Sequence, residues 1–210
     1  FSLYHDHYDR ERQGLAIRKM YRTIAPWVLE NSLLAHVRNS DENSVKTMID
    51  QCSEVGFDMV ILTFGSGFNI ENTDTAYLKQ MKSLADYAHD RGIALGGYSL
   101  LASRKIGKGQ DVVSPENQTP VFGNSPCLGS SWGIQYFEKL YHFFNTTGFD
   151  ILEHDGSYPG DVCISLNHPG HTGYEDSQWN QFSIIKEFYH WCRSEGIYLN
   201  VPDWYFLNGS

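Results

Sequence analysis

The stretch FDILEHDGSYPGD, residues 149–161, gathers Glu153, Asp155, Asp161 and His154 around Gly156, Pro159 and Gly160. Its opening residues are apolar, so it reads as a buried strand that runs out into a tight turn. Glu153 and Asp155 lie two apart, which puts both side chains on one face of a strand and His154 on the other. A carboxylate held at a strand end can attack or stabilise an electrophilic carbon, provided a second acid protonates the leaving group. Most aspartates are solvated loop residues or helix caps. Asp155 differs because it ends an apolar run and is followed by Gly156, which permits close approach of backbone or ligand. Two acids on one face raise each other's pKa, so a cationic partner is expected, with Arg38 and Arg104 as candidates.

Other residues able to do chemistry fall at similar places. His36 and Arg38 close one apolar segment; Thr63 and Ser66, in TFGSGF, close another. Tyr98, Ser99 and Arg104 follow a third, and Asp203, Trp204 and Tyr205 a last one. Acids on neighbouring strand ends among many aromatics suit glycoside chemistry, although aromatic residues fill cores more often than they stack on sugars. Paired histidines in YHDHYD (4–9) and NHPGHTGY (167–174) raise a second reading, a metal-dependent barrel hydrolase. Both pairs lie in irregular segments, where surface or hydrogen-bonded histidine is the plainer expectation. A third reading is a carbohydrate-binding protein without catalysis. The four cysteines include no CxxC pair, so no zinc knuckle, metal or other cofactor is expected. Cys52 and Cys192 fall on helix faces as core residues, whereas Cys127 and Cys163 fall in loops and are candidates for a disulfide.

The elements that must position these residues follow one repeated unit: an amphipathic helix, a glycine, then an apolar strand. The junctions are SEVGFDMVILTF (53–64), HDRGIALGGYSL (89–100), NTTGFDILEHDG (145–156) and RSEGIYLNVPDW (193–204). Gly56, Gly92, Gly148 and Gly196 stand where a helix C-terminus takes a left-handed residue. Asp41 or Asn43, Thr73 or Asp74, Ser130 or Ser131, and Asp176 or Ser177 supply N-caps. NSLLAHV (31–37) adds a strand ahead of the first such helix, making five. The apolar runs barely alternate, as strands covered on both faces do. The fold class is therefore α/β with a parallel sheet. An open doubly wound sheet is disfavoured because no GxGxxG follows the first strand. Long polar loops after the strands and short turns before them favour a (β/α)8 TIM-type barrel working at the strands' C-terminal ends. Five βα units do not close eight strands, so the chain is expected to be part of a longer one. Residues 1–30 read as a lead-in segment and 31–210 as the N-terminal part of a catalytic barrel.

Length and charge narrow the function. A chain of 210 residues can bury a sizeable core. Its net charge of −9 argues against binding nucleic acid. No apolar run is long enough to span a membrane.

TGFDILEHDGSYPGD resembles the nucleophile segment of the retaining α-galactosidase clan of glycoside hydrolases. In that clan the fourth strand ends in Lys-x-Asp and a short turn, the Asp being the nucleophile. DRGIALGGYSL is similar to the clan's third helix–strand junction, and VPDWY to the carboxylate–Trp pair ending its fifth strand. The resemblance runs over about residues 31–205 and implies an exo-acting, α-galactosidase-like enzyme working by double displacement on an oligosaccharide or polysaccharide. It makes Asp155 the nucleophile and Asp203 and Trp204 sugar contacts. Glu153, Tyr98, His36 and Arg38 join these as candidate substrate-binding residues. Two departures concern the sugar: Glu153 stands where the clan has Lys, and TFGSGF replaces its paired Asp. The clan's acid/base lies on a sixth strand, beyond Ser210. Glycan-degrading enzymes are often exported, so a secreted or periplasmic location is expected, and a Cys127–Cys163 bridge would agree with it.

Overall fold

A computed structural model describes residues 8–24, 26, 32–120, 123, 125–156 and 160–201. The chain divides into two compact units, Phe1–Leu33 and Leu34–Ser210. The first contains helix α1 (Arg10–Ile24), none of whose residues is buried. The lead-in segment thus holds a helix that its weak periodicity did not announce.

The second unit alternates strand and helix: β1 (Leu34–Val37), α2 (Glu42–Val55), β2 (Met59–Leu62), α3 (Thr75–His89), β3 (Ala94–Leu100), α4 (Ser131–Thr147), β4 (Ile151–Asp155), α5 (Ser177–Ser194) and β5 (Tyr198–Asn200). The five strands form one sheet in chain order, and every neighbouring pair is parallel. The helix ends follow the residue chemistry read above. Asp41, Asp74 and Ser130 each accept from backbone N–H groups of the first turn of their helix. Gly56 and Gly148 end α2 and α4 in the left-handed conformation, with φ of 83° and 69°. Asp176 departs from this pattern. Its carboxylate accepts from the backbone amides of Thr172 and Gly173 in the preceding loop and from the Asn180 side chain, rather than from the α5 backbone.

The register sorts the side chains onto two faces. Val37, Val60, Leu62, Leu95 and Leu152 join the core formed with the helices, among them Ile49, Met81, Leu140 and Phe188. On the other face, His36, Ile61, Gly96 and Ile151 are aligned across four strands. Two residues further on, Tyr98, Glu153 and Asn200 are aligned in the same way. Ile61 and Ile151 are fully buried yet stand apart from the helix-side core.

This second face is concave. Neighbouring strands lie about 4.8 Å apart, so β1 and β4 in a flat sheet would be separated by roughly 14 Å. His36 on β1 nevertheless reaches Glu153 on β4, Nε2 to Oε2 at 2.7 Å. Only a sheet curled towards its inner face brings those side chains together, and that curl is the start of barrel closure.

Candidate active site

The fourth strand delivers its acids as its alternation requires. Glu153 and Asp155 face the concave side, and His154 faces the helices. Tyr98 donates from its hydroxyl to Asp155 Oδ2 at 2.5 Å. The other carboxylate oxygen, Oδ1, is engaged by none of the described residues. Glu153 is buried, and its Oε2 meets His36 Nε2 at 2.7 Å and accepts from Asn200 Nδ2 at 2.7 Å. The result is a line of polar groups, His36, Glu153, Asn200, Tyr98 and Asp155, at the C-terminal ends of β1, β3, β4 and β5.

Tyr98 and His36 therefore sit where the sequence reading put them. Arg38 does not join them: it is exposed beside α2 and makes no ion pair among the described residues. Arg104 is no partner of the acids either. Its Nη1 pairs with Glu71 at 2.8 Å, and its guanidinium lies 4.7 Å over the Trp132 ring. The expected cation beside the two acids is replaced by neutral donors, Tyr98 and Asn200, and by the His36 ring. Asp203 and Trp204 lie outside the described residues. Asn200 went unnoticed in the sequence because an amide at the end of a short apolar run carries no signature. Its parity with Glu153 was the available clue.

At Gly156 the close approach is made by backbone. Its φ is +68°, and a Cβ there would lie 2.8 Å from the Ala102 amide nitrogen. The space that this glycine leaves is filled by the backbone after β3, not left open for a ligand. That contact, with the Leu101 amide bonded to the Asp155 carbonyl at 2.8 Å, fixes the strand end that carries Asp155.

Beside Tyr98 opens a cavity of about 310 Å³, lined by Phe64, Phe68, Glu71, Tyr98 and Arg104 among others. Phe64 is 67% exposed and meets Tyr98 edge to face with ring centroids 5.4 Å apart. An exposed ring next to polar strand ends is the kind of surface on which the apolar face of a sugar stacks. His154 cannot serve the concave face. It is fully buried between Tyr136 and Tyr189, both hydroxyls 2.9 Å from its ring nitrogens. Burial, with Arg104 adding to it, holds the ring neutral by lowering its pKa to about 3.

Cys127 and Cys163 do come together, but as free thiols rather than a bridge. Among the described residues, the one group of His, Cys, Asp and Glu whose ligand atoms converge as a metal would require is Cys127, Cys163, His168 and His171. It includes none of the groups around Asp155.

An α/β chain with five consecutive parallel strands curled towards a polar concave face has the architecture of part of a (β/α)8 barrel. It shares that fold with α-galactosidases and α-N-acetylgalactosaminidases of known structure. The GH36 α-galactosidase AgaA of Geobacillus stearothermophilus, solved in complex with stachyose, superposes with a TM-score of 0.63 at 10% identity, over 90% of this chain and 30% of that one. The α-N-acetylgalactosaminidase NagBb of Bifidobacterium bifidum, with GalNAc, gives 0.56 at 16% identity, over 93% and 40%. The α-galactosidase TtGalA of Thermus thermophilus, with stachyose, gives 0.51 at 14%, over 81% and 40%. The chain thus spans between 30% and 40% of the length of these three proteins. No family model and no curated protein matches the sequence.

Proposed function

We propose that this chain carries the nucleophile half of a retaining, exo-acting, α-galactosidase-like glycoside hydrolase, with Asp155 as the nucleophile. One observation carries the reading: a strand-end carboxylate on the concave face, oriented through Oδ2 by Tyr98 and with Oδ1 free of partners among the described residues. A hydrogen bond to one oxygen fixes the rotation of the group while the other is left to react. The shared fold with α-galactosidases, and the position of Asp155 at the end of the fourth strand, support the same assignment.

In the first displacement a carboxylate oxygen of Asp155 bonds to the anomeric carbon as the glycosidic C–O bond breaks, and a general acid protonates the departing oxygen. In the second, water attacks the same carbon, the former acid takes its proton, and Asp155 leaves as a carboxylate. We assign the acid/base to chain outside the described residues. Glu153, His36 and Asn200 form a hydrogen-bonded set beside the nucleophile that would contact sugar hydroxyls in place of a lysine.

The test is intact mass after incubation with activated 2-deoxy-2-fluoro α-glycosides, whose good leaving groups need little acid assistance. A glycosyl-sized mass gain on the peptide containing Asp155, absent from Asp155→Asn, is expected. An adduct on another residue, or turnover of the unfluorinated glycosides without any adduct, overturns the assignment. Sugar binding with neither adduct nor turnover makes non-catalytic carbohydrate binding the better reading.

A further inference from the structure

Away from the concave face, two loops meet around four buried side chains. Cys127 belongs to the loop between β3 and α4; Cys163, His168 and His171 belong to the loop between β4 and α5. All four are buried, at 0%, 0%, 4% and 6% exposure, and one ligand atom from each lies within 4.8 Å of the other three. His171 Nε2 is 3.2 Å from Cys127 Sγ and 3.3 Å from His168 Nδ1, which is 3.5 Å from Cys163 Sγ. With zinc–sulfur bonds of about 2.3 Å and zinc–nitrogen bonds of about 2.0–2.1 Å, a tetrahedral Cys2His2 site has edges of about 3.3–3.8 Å. These three gaps, 3.2–3.5 Å, fall close to that range, and the remaining pairs lie within 4.8 Å, near enough for a small contraction onto an ion.

The surroundings are those of a ligand set. His168 Nε2 faces the Gly109 carbonyl at 2.8 Å and can only donate to it. In the neutral ring this leaves the Nδ1 lone pair pointing into the cluster, the arrangement that orients a metal-bound histidine. The Val113 amide donates to Cys163 Sγ at 3.4 Å, as a thiolate ligand requires. The loops are also drawn together beside the cluster, where the Gly170 amide donates to the Gly129 carbonyl at 2.7 Å. A Cβ on Gly129 would lie 2.7 Å from the His171 ring, and one on Gly170 would lie 2.6 Å from Gly129 Cα. Neither loop can carry a side chain at that contact.

We propose that Cys127, Cys163, His168 and His171 bind one zinc ion that clasps the β3–α4 loop to the β4–α5 loop. Two sulfur and two imidazole donors select zinc over the hard, oxygen-preferring cations. Four protein ligands, all buried, leave no open position, so the ion is structural rather than catalytic. Its effect is to tie down the segment that starts at the Asp155–Gly156 turn, since Cys163 follows eight residues after Asp155. The ligand order, Cys-x35-Cys-x4-His-x2-His, lacks the close cysteine pair by which zinc knuckles are recognised.

The chain, purified without chelator, should contain one equivalent of zinc by elemental mass spectrometry. Stripped and reloaded with cobalt, it should show the visible bands of tetrahedral cobalt and a thiolate-to-cobalt charge-transfer band. Cys127→Ser and His171→Ala should each lose the equivalent, and Cys52→Ser, at a buried cysteine outside the cluster, should keep it. A strong chelator should lower the Tm of the wild type by at least about 5 °C. Because the ligand variants could fail to fold, the wild-type measurements decide. A folded chain that holds no zinc and gives no cobalt spectrum on reloading overturns the proposal. So does a mass two hydrogens short with Cys127 and Cys163 linked. These readouts are independent of glycosidase activity.

Discussion

Neighbouring residues of β4 live in opposite chemical worlds. Asp155 keeps one oxygen in reach of whatever enters the concave face, while His154 is sealed between two tyrosines. Tyr136 Oη also meets Ser99 Oγ at 2.6 Å, so a chain of hydroxyls and one imidazole links β3, α4, β4 and α5. Burial pushes the Tyr136 phenol up and the His154 imidazole down to about 3, so both stay neutral. That has a consequence for stability. An unfolded histidine takes up its proton near pH 6.5. Between about 6.5 and about 3 the unfolded chain therefore holds a proton that the folded chain refuses. The contribution of His154 is complete above this window and is lost as pH falls through it. His154→Gln, which keeps one donor and one acceptor, should remove up to about 4 kcal/mol of that dependence. Urea midpoints of both proteins from pH 7 to 3.5 measure it. The carboxylates that titrate lower, such as Asp50 and Asp176, are common to both and cancel. Parallel curves for the two proteins would mean that the ring is not sealed.

At the scale of elements, β3 is the strand that could least tolerate change. Its ALGGYSL sequence places Gly96 against Ile151 on the concave face and Gly97 against Phe68 on the helix face. A Cβ at Gly96 would stand 2.3 Å from the Ile151 Cβ and 2.6 Å from the Ile151 carbonyl oxygen. The obstacle is β4 backbone that is itself hydrogen-bonded, so it cannot move aside cheaply. Gly96→Ala should cost about 3 kcal/mol, seen as a lower urea midpoint with an unchanged slope. A loss below about 0.5 kcal/mol would show that β3 and β4 do not approach as described. On the other face, Phe68 fills the space above Gly97 and packs on Phe143 and Phe149, with ring centroids 5.6 and 5.7 Å away. The loop after β2 is thereby anchored to α4, and it presents Phe64 beside Tyr98. Both glycines thus serve the site indirectly, by letting neighbouring elements come close.

The property of the whole molecule that matters most is the curl of the sheet, because it alone makes β1 and β4 neighbours across open space. The His36–Glu153 contact is a direct readout of it. A double-mutant cycle with His36→Ala and Glu153→Ala should give a coupling of about 1 kcal/mol. The value is modest because the His36 side chain is 44% exposed. An open sheet would give none. Much of this architecture was legible in the residues. Apolar runs closing on strand ends, glycine at helix C-termini, and cap residues at helix starts are local features set by backbone geometry over a few positions. The opposite facing of Asp155 and His154 follows from the period of two, and the α/β class from the alternation of elements. What sequence could not show was which distant side chains meet. Arg38 and Asn200 both fall in the row of Glu153 by register, yet Arg38 lies past the end of β1 and is exposed beside α2, whereas Asn200, within β5, donates to Glu153. Cys127 and Cys163 were readable as a pair, but His168 and His171 join them only because two long loops cross at Gly129 and Gly170. Local order is encoded in short-range dihedral preference and hydrophobic period, which any window of the chain displays. The partners of Glu153 and the four-ligand cluster depend on curvature and loop crossing, set by the packing of the whole sheet and its helices, and so were decided by the tertiary structure alone.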